Sequence, residues 1–286
     1  MSDAKAAELA AKCHRALDPL HSLVYFAPEA DEKLAGIGLK PGRMSYFASR
    51  SAPMGPVGAG VVTATFYNFN PDLVARHIPK AWGLASPETI LATRLEVADA
   101  ALRRLLGDAV DSHEVAEAAE LAREATAGCT PEGRPLYSAH AELDWPEQPH
   151  LALWHAITLL REFRGDGHIA ALTTHDVDGL SALITHSATG RGFTEAAAKA
   201  TRGWSDEQWS AGVERLREQG ILDDDGELTA EGVALRERVE AATDAAATAP
   251  FTHLGEEKCL RLREIGKTLS RTVVGAGAFP ATVFGK

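Results

Sequence analysis

The chain has 286 residues, 45% of them apolar and 24% charged, a globular composition long enough for two domains, which excludes disorder, collagen-like repeats and a disulfide framework. About 50 alanines against few aromatic residues point to helices packed through small side chains rather than to an all-β fold. Forty acidic against twenty-nine basic residues leave a net charge of −11, which repels phosphate backbones and anionic lipid surfaces.

The amino terminus carries Asp3 and Glu8 among alanines, with no basic stretch ahead of an apolar run, so a secretion signal is not expected there. No apolar window reaches membrane-spanning length, and the expectation is a cytoplasmic protein that neither enters nor docks on a membrane. Cys13, Cys129 and Cys259 stand apart without CxxC spacing and read as small core residues.

Apolar residues recur at three- and four-residue spacing through residues 4–17, 87–106, 114–127, 151–163, 193–200, 206–219, 230–247 and 254–269, which predicts helices. Ser86, Ser112, Ser205 and Thr229 stand where caps are needed, each followed by carboxylates in the first turn. The β-branched and aromatic stretch 61–69 predicts an extended segment, and Gly165-Asp166-Gly167 predicts a turn with His168 opening or capping the next helix. Residues 221–228 around Asp223-Asp224-Asp225-Gly226 predict a small β-hairpin. The apolar tail, 272–286, is expected to end loosely or to close over a crevice.

A weak internal duplication organises these elements. Leu20-His21-Ser22-Leu23-Val24-Tyr25 parallels Trp154-His155-Ala156-Ile157-Thr158-Leu159, 42–55 parallels 179–190, and 117–126 parallels 231–243. The fold class expected is therefore all-α, with two duplicated helical lobes, 1–148 and 149–286, about a pseudo-two-fold axis and a crevice between them.

Residues 193–247 run helix, turn, longer helix, acidic hairpin, helix, the order of a winged-helix element. In outline this resembles MarR-like regulators. Strings such as HSLVYFAPEA (21–30), LREFRGDGH (160–168) and VERLREQGIL (213–222) resemble more closely a family of actinobacterial proteins described as helix-turn-helix. The resemblance covers nearly the whole chain and implies a fold, with no activity attached. The charges argue against DNA: helix 206–219 holds Asp206, Glu207, Glu214 and Glu218 against Arg215 and Arg217, and the hairpin tip is three aspartates. The winged-helix element is accordingly expected to serve packing or a homodimer contact.

The polar cluster of the second half centres on His155 and Glu162, which share one helix face at a spacing of seven. A buried His–Glu pair is how a general base or a ligand anchor is made, so these two are the candidate catalytic residues. His21, Tyr25 and Glu29 hold the matching places in the first half. Arg164, His168 and His186 lie close by in sequence; Arg50 could anchor an acid group, and Tyr67 and Asn68 could offer neutral hydrogen bonds. The four histidines match no compact metal motif, and GxGxxG and GxSxG fingerprints are absent, so neither metal nor cofactor is expected. The expectation is a protein that binds a small organic ligand in the crevice, with a cofactor-independent acid/base enzyme of specialised metabolism held open; the alternative is a MarR-like, ligand-responsive transcriptional regulator that binds DNA.

Overall fold

The computed structural model describes residues 3–190 and 192–280. Helices form where the periodicity puts them: α1 (Asp3–Ser22), α2 (Pro28–Gly36), α3 (Arg43–Ser51), α4 (Ala59–Phe66), α5 (Pro71–His77), α6 (Pro87–Leu106), α7 (His113–Thr126) and α8 (Pro135–Ala141). The second half follows with α9 (Pro149–Thr174), α10 (Gly179–Ala188), α11 (Glu195–Arg202), α12 (Asp206–Glu218), α13 (Ala230–Ala246), α14 (Ala249–Leu254) and α15 (Glu256–Gly275). The caps are local chemistry: Ser86, Ser112 and Thr229 each accept the amide three residues on, and Ser205 forms a capping box with Gln208.

Three expectations are corrected. Residues 59–66 form α4, not an extended segment, because Val62, Thr65 and Phe66 share one buried face and Thr65 returns its hydroxyl to the Val61 carbonyl at 3.0 Å; burial overrides β propensity. Gly165 and Gly167 lie inside α9, so the chain does not turn there. Gly167 serves close approach instead: Arg134 spans it to the Phe163 carbonyl and to the Ala246 carbonyl at 2.7 Å, and a Cβ would stand 2.8 Å from the Arg134 guanidinium. The hairpin shrinks to a single antiparallel bridge, Leu222 to Leu228, and no strand forms among the described residues. Asp223 causes this by accepting the amides of Asp225 and Glu227 at 3.0 and 2.9 Å, which closes the turn on itself.

The halves do not stand apart as two lobes. One core runs from Leu9 to Ala278 through α1, α6, α7, α9, α14 and α15. Within it α1 lies along α15, with Ser270 Oγ donating to the Ala16 carbonyl at 2.6 Å and Leu17 filling the space over Gly266, while α9 lies along α7. A second core joins α2 through α6 and α8, and a third sits inside α10–α12, built on Leu183, Ala198, Trp209 and Leu216. The carboxy-terminal segment belongs to the first core: Val273 and Ala278 are buried, and Phe279 meets Phe26 edge-on at 5.4 Å. The rest of the predicted tail, 281–286, lies outside the described residues.

The first half touches α10 through backbone. A Cβ on Gly179 would stand 2.0 Å from the Tyr67 carbonyl oxygen, and Tyr67 itself holds a positive φ of 53° after α4. Gly179→Ala is therefore expected to destabilise the chain by about 1–3 kcal/mol or more, since the backbones must part; a melting temperature within a degree of the parent would contradict this contact.

Candidate functional site

Segments of both halves enclose a cavity of about 1150 Å³, walled by α1, α3, the end of α4 with residues 67–69, α9, α10, α13 and the last residue of α11. Its most buried wall is ionic. Arg50 Nη2 donates to both Glu162 oxygens at 3.2 and 3.1 Å, its Nη1 donates to the Tyr46 hydroxyl at 2.9 Å, and its guanidinium lies 4.3 Å over the Phe66 ring. Arg161 adds a donor to Glu162 at 2.9 Å and another to Asp18 at 3.1 Å. Burial works to raise the Glu162 pKa, but Arg50 and Arg161 outweigh it and hold the carboxyl at about 2. Burial likewise pushes the Tyr46 phenol up, and Arg50, Arg202 and Arg161 around it bring it down instead.

Of the residues singled out in the sequence, Arg50, Tyr67, Asn68, Glu162, Arg164, His168 and His186 line this cavity. Tyr67 donates its hydroxyl to the Val177 carbonyl at 2.7 Å. Asn68 accepts Arg202 Nε at 3.1 Å on its side chain and Trp204 Nε1 at 3.0 Å on its carbonyl. Arg164 ties α9 to α13 through Glu240 and Asp244 at 3.2 and 3.0 Å, and His168 Nδ1 meets Thr243 Oγ1 at 2.8 Å. Burial lowers the His168 pKa to about 4 and lowers that of His186 as well.

His21, Tyr25, Glu29 and His155 lie outside the cavity wall. Thr158 donates its hydroxyl to the Trp154 carbonyl at 2.8 Å, so His21 Nδ1–H donates to Thr158 at 2.9 Å and His21 Nε2 accepts from the Tyr25 hydroxyl at 2.8 Å. Stacked on Trp154 at 5.8 Å, this neutral imidazole ties α1 to α9. Glu29 is held by Arg104 at 2.5 and 3.0 Å on another face. His155 packs edge-on to Trp145 at 4.8 Å, its Nε2 without an acceptor or donor; burial, then Arg94 and Arg123, lower its pKa to about 4. The expected His155–Glu162 pair is not formed. Two helical turns, roughly 10 Å, separate the residues, and both Glu162 oxygens are taken by arginine. A carboxylate at about 2 and an imidazole at about 4 are also poor proton acceptors near neutrality.

Sequence reasoning passed over Tyr46, Phe66, Phe69 and Arg202, which shape one end of the cavity, and the buried contact between Arg94 Nη1 and His140 Nε2 at 3.2 Å. The signal for Tyr46 is its spacing of four from Arg50 on α3. The two phenylalanines were hidden in the segment taken as extended. Among the described residues no three His, Cys, Asp or Glu side chains come together as a metal-ion site, and no helix is long and apolar enough to cross a membrane.

Beside the cavity stands a compact tri-helical element, α10–α12. Gly203, left-handed at φ 77°, caps α11, and the capping box at Ser205 starts α12. A family model described as a helix-turn-helix family matches residues 10–280. The chain belongs to this helix-turn-helix family. Neither a curated protein nor a solved structure matches it.

Membership corrects the expectation against DNA, because a helix-turn-helix family is a DNA-binding type of fold. That expectation rested on the face of α12, whose Asp206, Glu207, Glu214 and Glu218 are exposed while Arg215 is paired with Asp178 at 2.8 Å and Arg217 folds back onto the Asp223 and Asp224 carbonyls at 3.0 and 2.7 Å. One helix face does not set the field of the whole surface. Lys40, Arg43, Arg76 and Lys80 gather around His77, whose pKa burial and these four cations lower, and none of the four enters an ion pair among the described residues. The helix that carries Arg76, α5, starts against the helix-turn-helix element: Asn70 donates its amide to the Arg202 carbonyl at 2.9 Å and its side chain to Gln208 at 3.0 Å, and Leu73 lies against Gly203.

Proposed function

We propose that this helix-turn-helix protein is a ligand-responsive DNA-binding regulator of the cytoplasm, working in the manner of the MarR-like proteins it resembles in outline, with α10–α12 meeting DNA and the cavity receiving the effector. The observation that carries the reading is the sharing of residues between the two sites. Arg202 ends α11 and lines the cavity, and Asn68 lines the cavity and holds both Arg202 and Trp204, the residues that flank the turn into α12. A molecule seated there bears directly on the angle between the two helices that a helix-turn-helix presents to DNA.

The acidic face of α12 fits this reading if phosphates are neutralised elsewhere. Glutamate and aspartate accept from cytosine amino groups in the major groove, and the unpaired cations around His77, about 10 Å along α5 from its contact with α12, supply phosphate contacts. The packing of α9 on α7 and of α1 on α13, the counterpart pairs of the duplication, supports reading 1–148 and 149–286 as related units that exchange long helices.

A mobility-shift titration with the duplex upstream of the protein's own gene, at about 50 mM salt, tests it. Retarded complex is expected, and the triple variant Lys40→Ala, Arg76→Ala, Lys80→Ala is expected to bind more weakly at every sequence, with the salt slope flattened by about one for each cation removed. An unaltered slope in the triple variant would place the phosphate contacts elsewhere, and absence of any retarded complex would remove the reading.

A further inference from the structure

We propose that the cavity receives a planar aromatic carboxylate whose acid group pairs with Arg202. The inference takes the regulator reading's effector site as its place and adds the chemistry of the occupant.

Charge accounting among the cavity's arginines singles out Arg202, since Arg15, also without a carboxylate partner among the described residues, is exposed to solvent. Arg50 and Arg161 share Glu162, and Arg161 also takes Asp18. Arg164 and Arg236 are met by Glu240, and Arg164 by Asp244. Arg202 has neutral partners: Nε donates to Asn68 Oδ1 and Nη1 to Thr201 Oγ1, both at 3.1 Å. No carboxylate approaches it among the described residues, and its Nη2 has no acceptor there. Burial, with Arg43 and Arg50 nearby, lowers its pKa to about 10, so it remains a cation at neutral pH. A partly buried guanidinium without a counter-ion is unfavourable, and a bound anion supplies the missing partner in the two-pronged geometry that guanidinium and carboxylate share.

The surroundings narrow the anion. The Arg202 guanidinium lies between the Phe69 and Phe193 rings, at 4.4 and 4.8 Å. Tyr46 stands 5.5 Å from Phe69 and 6.2 Å from Phe66, so ring faces and edges wall this end of the cavity. Such a wall accepts a flat aromatic body in offset or edge contact. Of the arginines lining this aromatic end of the cavity, Arg202 is the one without a carboxylate among the described residues, and one such cation matches one negative charge, which favours a carboxylate over a phosphate dianion.

Titration of the full chain with 2-naphthoate and with its neutral isostere 2-naphthamide, followed by calorimetry or by the fluorescence of Trp204, tests this. The acid is expected to bind at least about tenfold more tightly than the amide, the worth of one charge-assisted hydrogen-bond pair. Arg202→Gln is expected to abolish that preference while the amide binds as before. Equal affinity for acid and amide, or no binding of the acid at millimolar concentration, would overturn the proposal; should the variant not fold, the acid-to-amide ratio on the parent chain decides alone. Binding of the acid with the preference intact but DNA affinity unchanged upholds the site and removes only its role as an effector site.

Discussion

Glu162→Ala is expected to destabilise the protein by about 3–5 kcal/mol, because it leaves Arg50 buried with no counter-ion. Glu162 is 2% and Arg50 8% exposed, so the pair is held largely out of water in the folded chain. For a chain of this size the loss corresponds to a fall in melting temperature of roughly 10 °C. Replacing both partners by apolar residues, Arg50→Met with Glu162→Leu, is expected to recover most of the loss, since a buried pair can be exchanged for hydrophobic packing at little net cost. Calorimetric melting of the single and double variants checks both statements. A single variant that melts with the parent would mean that the ion pair is not where Glu162 does its work. The sign with pH follows from the depressed carboxyl: its contribution is complete above the ordinary 4.5 and disappears as pH falls towards about 2.

Acid is expected to unfold the protein well before that carboxyl titrates. His140 is held at about 3 and His14, His155 and His168 at about 4, all chiefly by burial, and burial lowers His21 well below its ordinary value. Each is neutral in the folded chain and free to protonate near 6.5 once unfolded. Stability is therefore unaffected above 6.5 and declines as pH falls from there towards 4. A buried histidine held at about 4 removes roughly 3 kcal/mol by pH 4, and several together exceed the stability of an ordinary domain. Asp166 acts the other way, since burial raises its carboxyl to about 6 and the folded chain binds that proton first, but one group does not offset five. Ellipticity at 222 nm recorded against pH is expected to show cooperative loss between about 5 and 4. His155→Phe, which keeps the packing on Trp145 and removes a ring nitrogen without a partner, is expected to move that midpoint downwards. Retention of the native signal at pH 3.5 would contradict the account of these imidazoles.

Much of the helical framework was legible because its causes are local. Ser86, Ser112, Ser205 and Thr229 cap from within three residues, and the apolar spacing of α6 and α13 needs no partner to be read. Misreadings arose where a distant neighbour decided. The residues of α4 look extended until the buried faces of α3 and α5 are set against them, and Gly167 looks like a turn until Arg134, 29 residues before Phe163, is seen crossing it. The site follows the same rule. Arg50 and Glu162 were each legible as candidates, but their pairing across 112 residues was not. Seven apart on one helix, His155 and Glu162 suggested a dyad, yet helix geometry fixes only a shared face, and the arginines that reach Glu162 come from outside that face. Arg202 had no sequence signal beyond its charge; its importance comes from the carboxylates that surround its neighbours and not itself. The acidic tip at Asp223 was read rightly as acidic and wrongly as the end of a two-stranded wing, because its side chain takes the amides that strands would need.

On the proposed function, α10–α12 reads DNA and the cavity behind it controls the reading. In-vitro selection of binding sites from a random duplex pool with the full chain, run with and without 2-naphthoate, bears on both parts at once. One sequence motif is expected to be enriched over successive rounds, and the acid is expected to lower its retention; a pool that stays random through every round at low salt would rule out DNA reading by α10–α12.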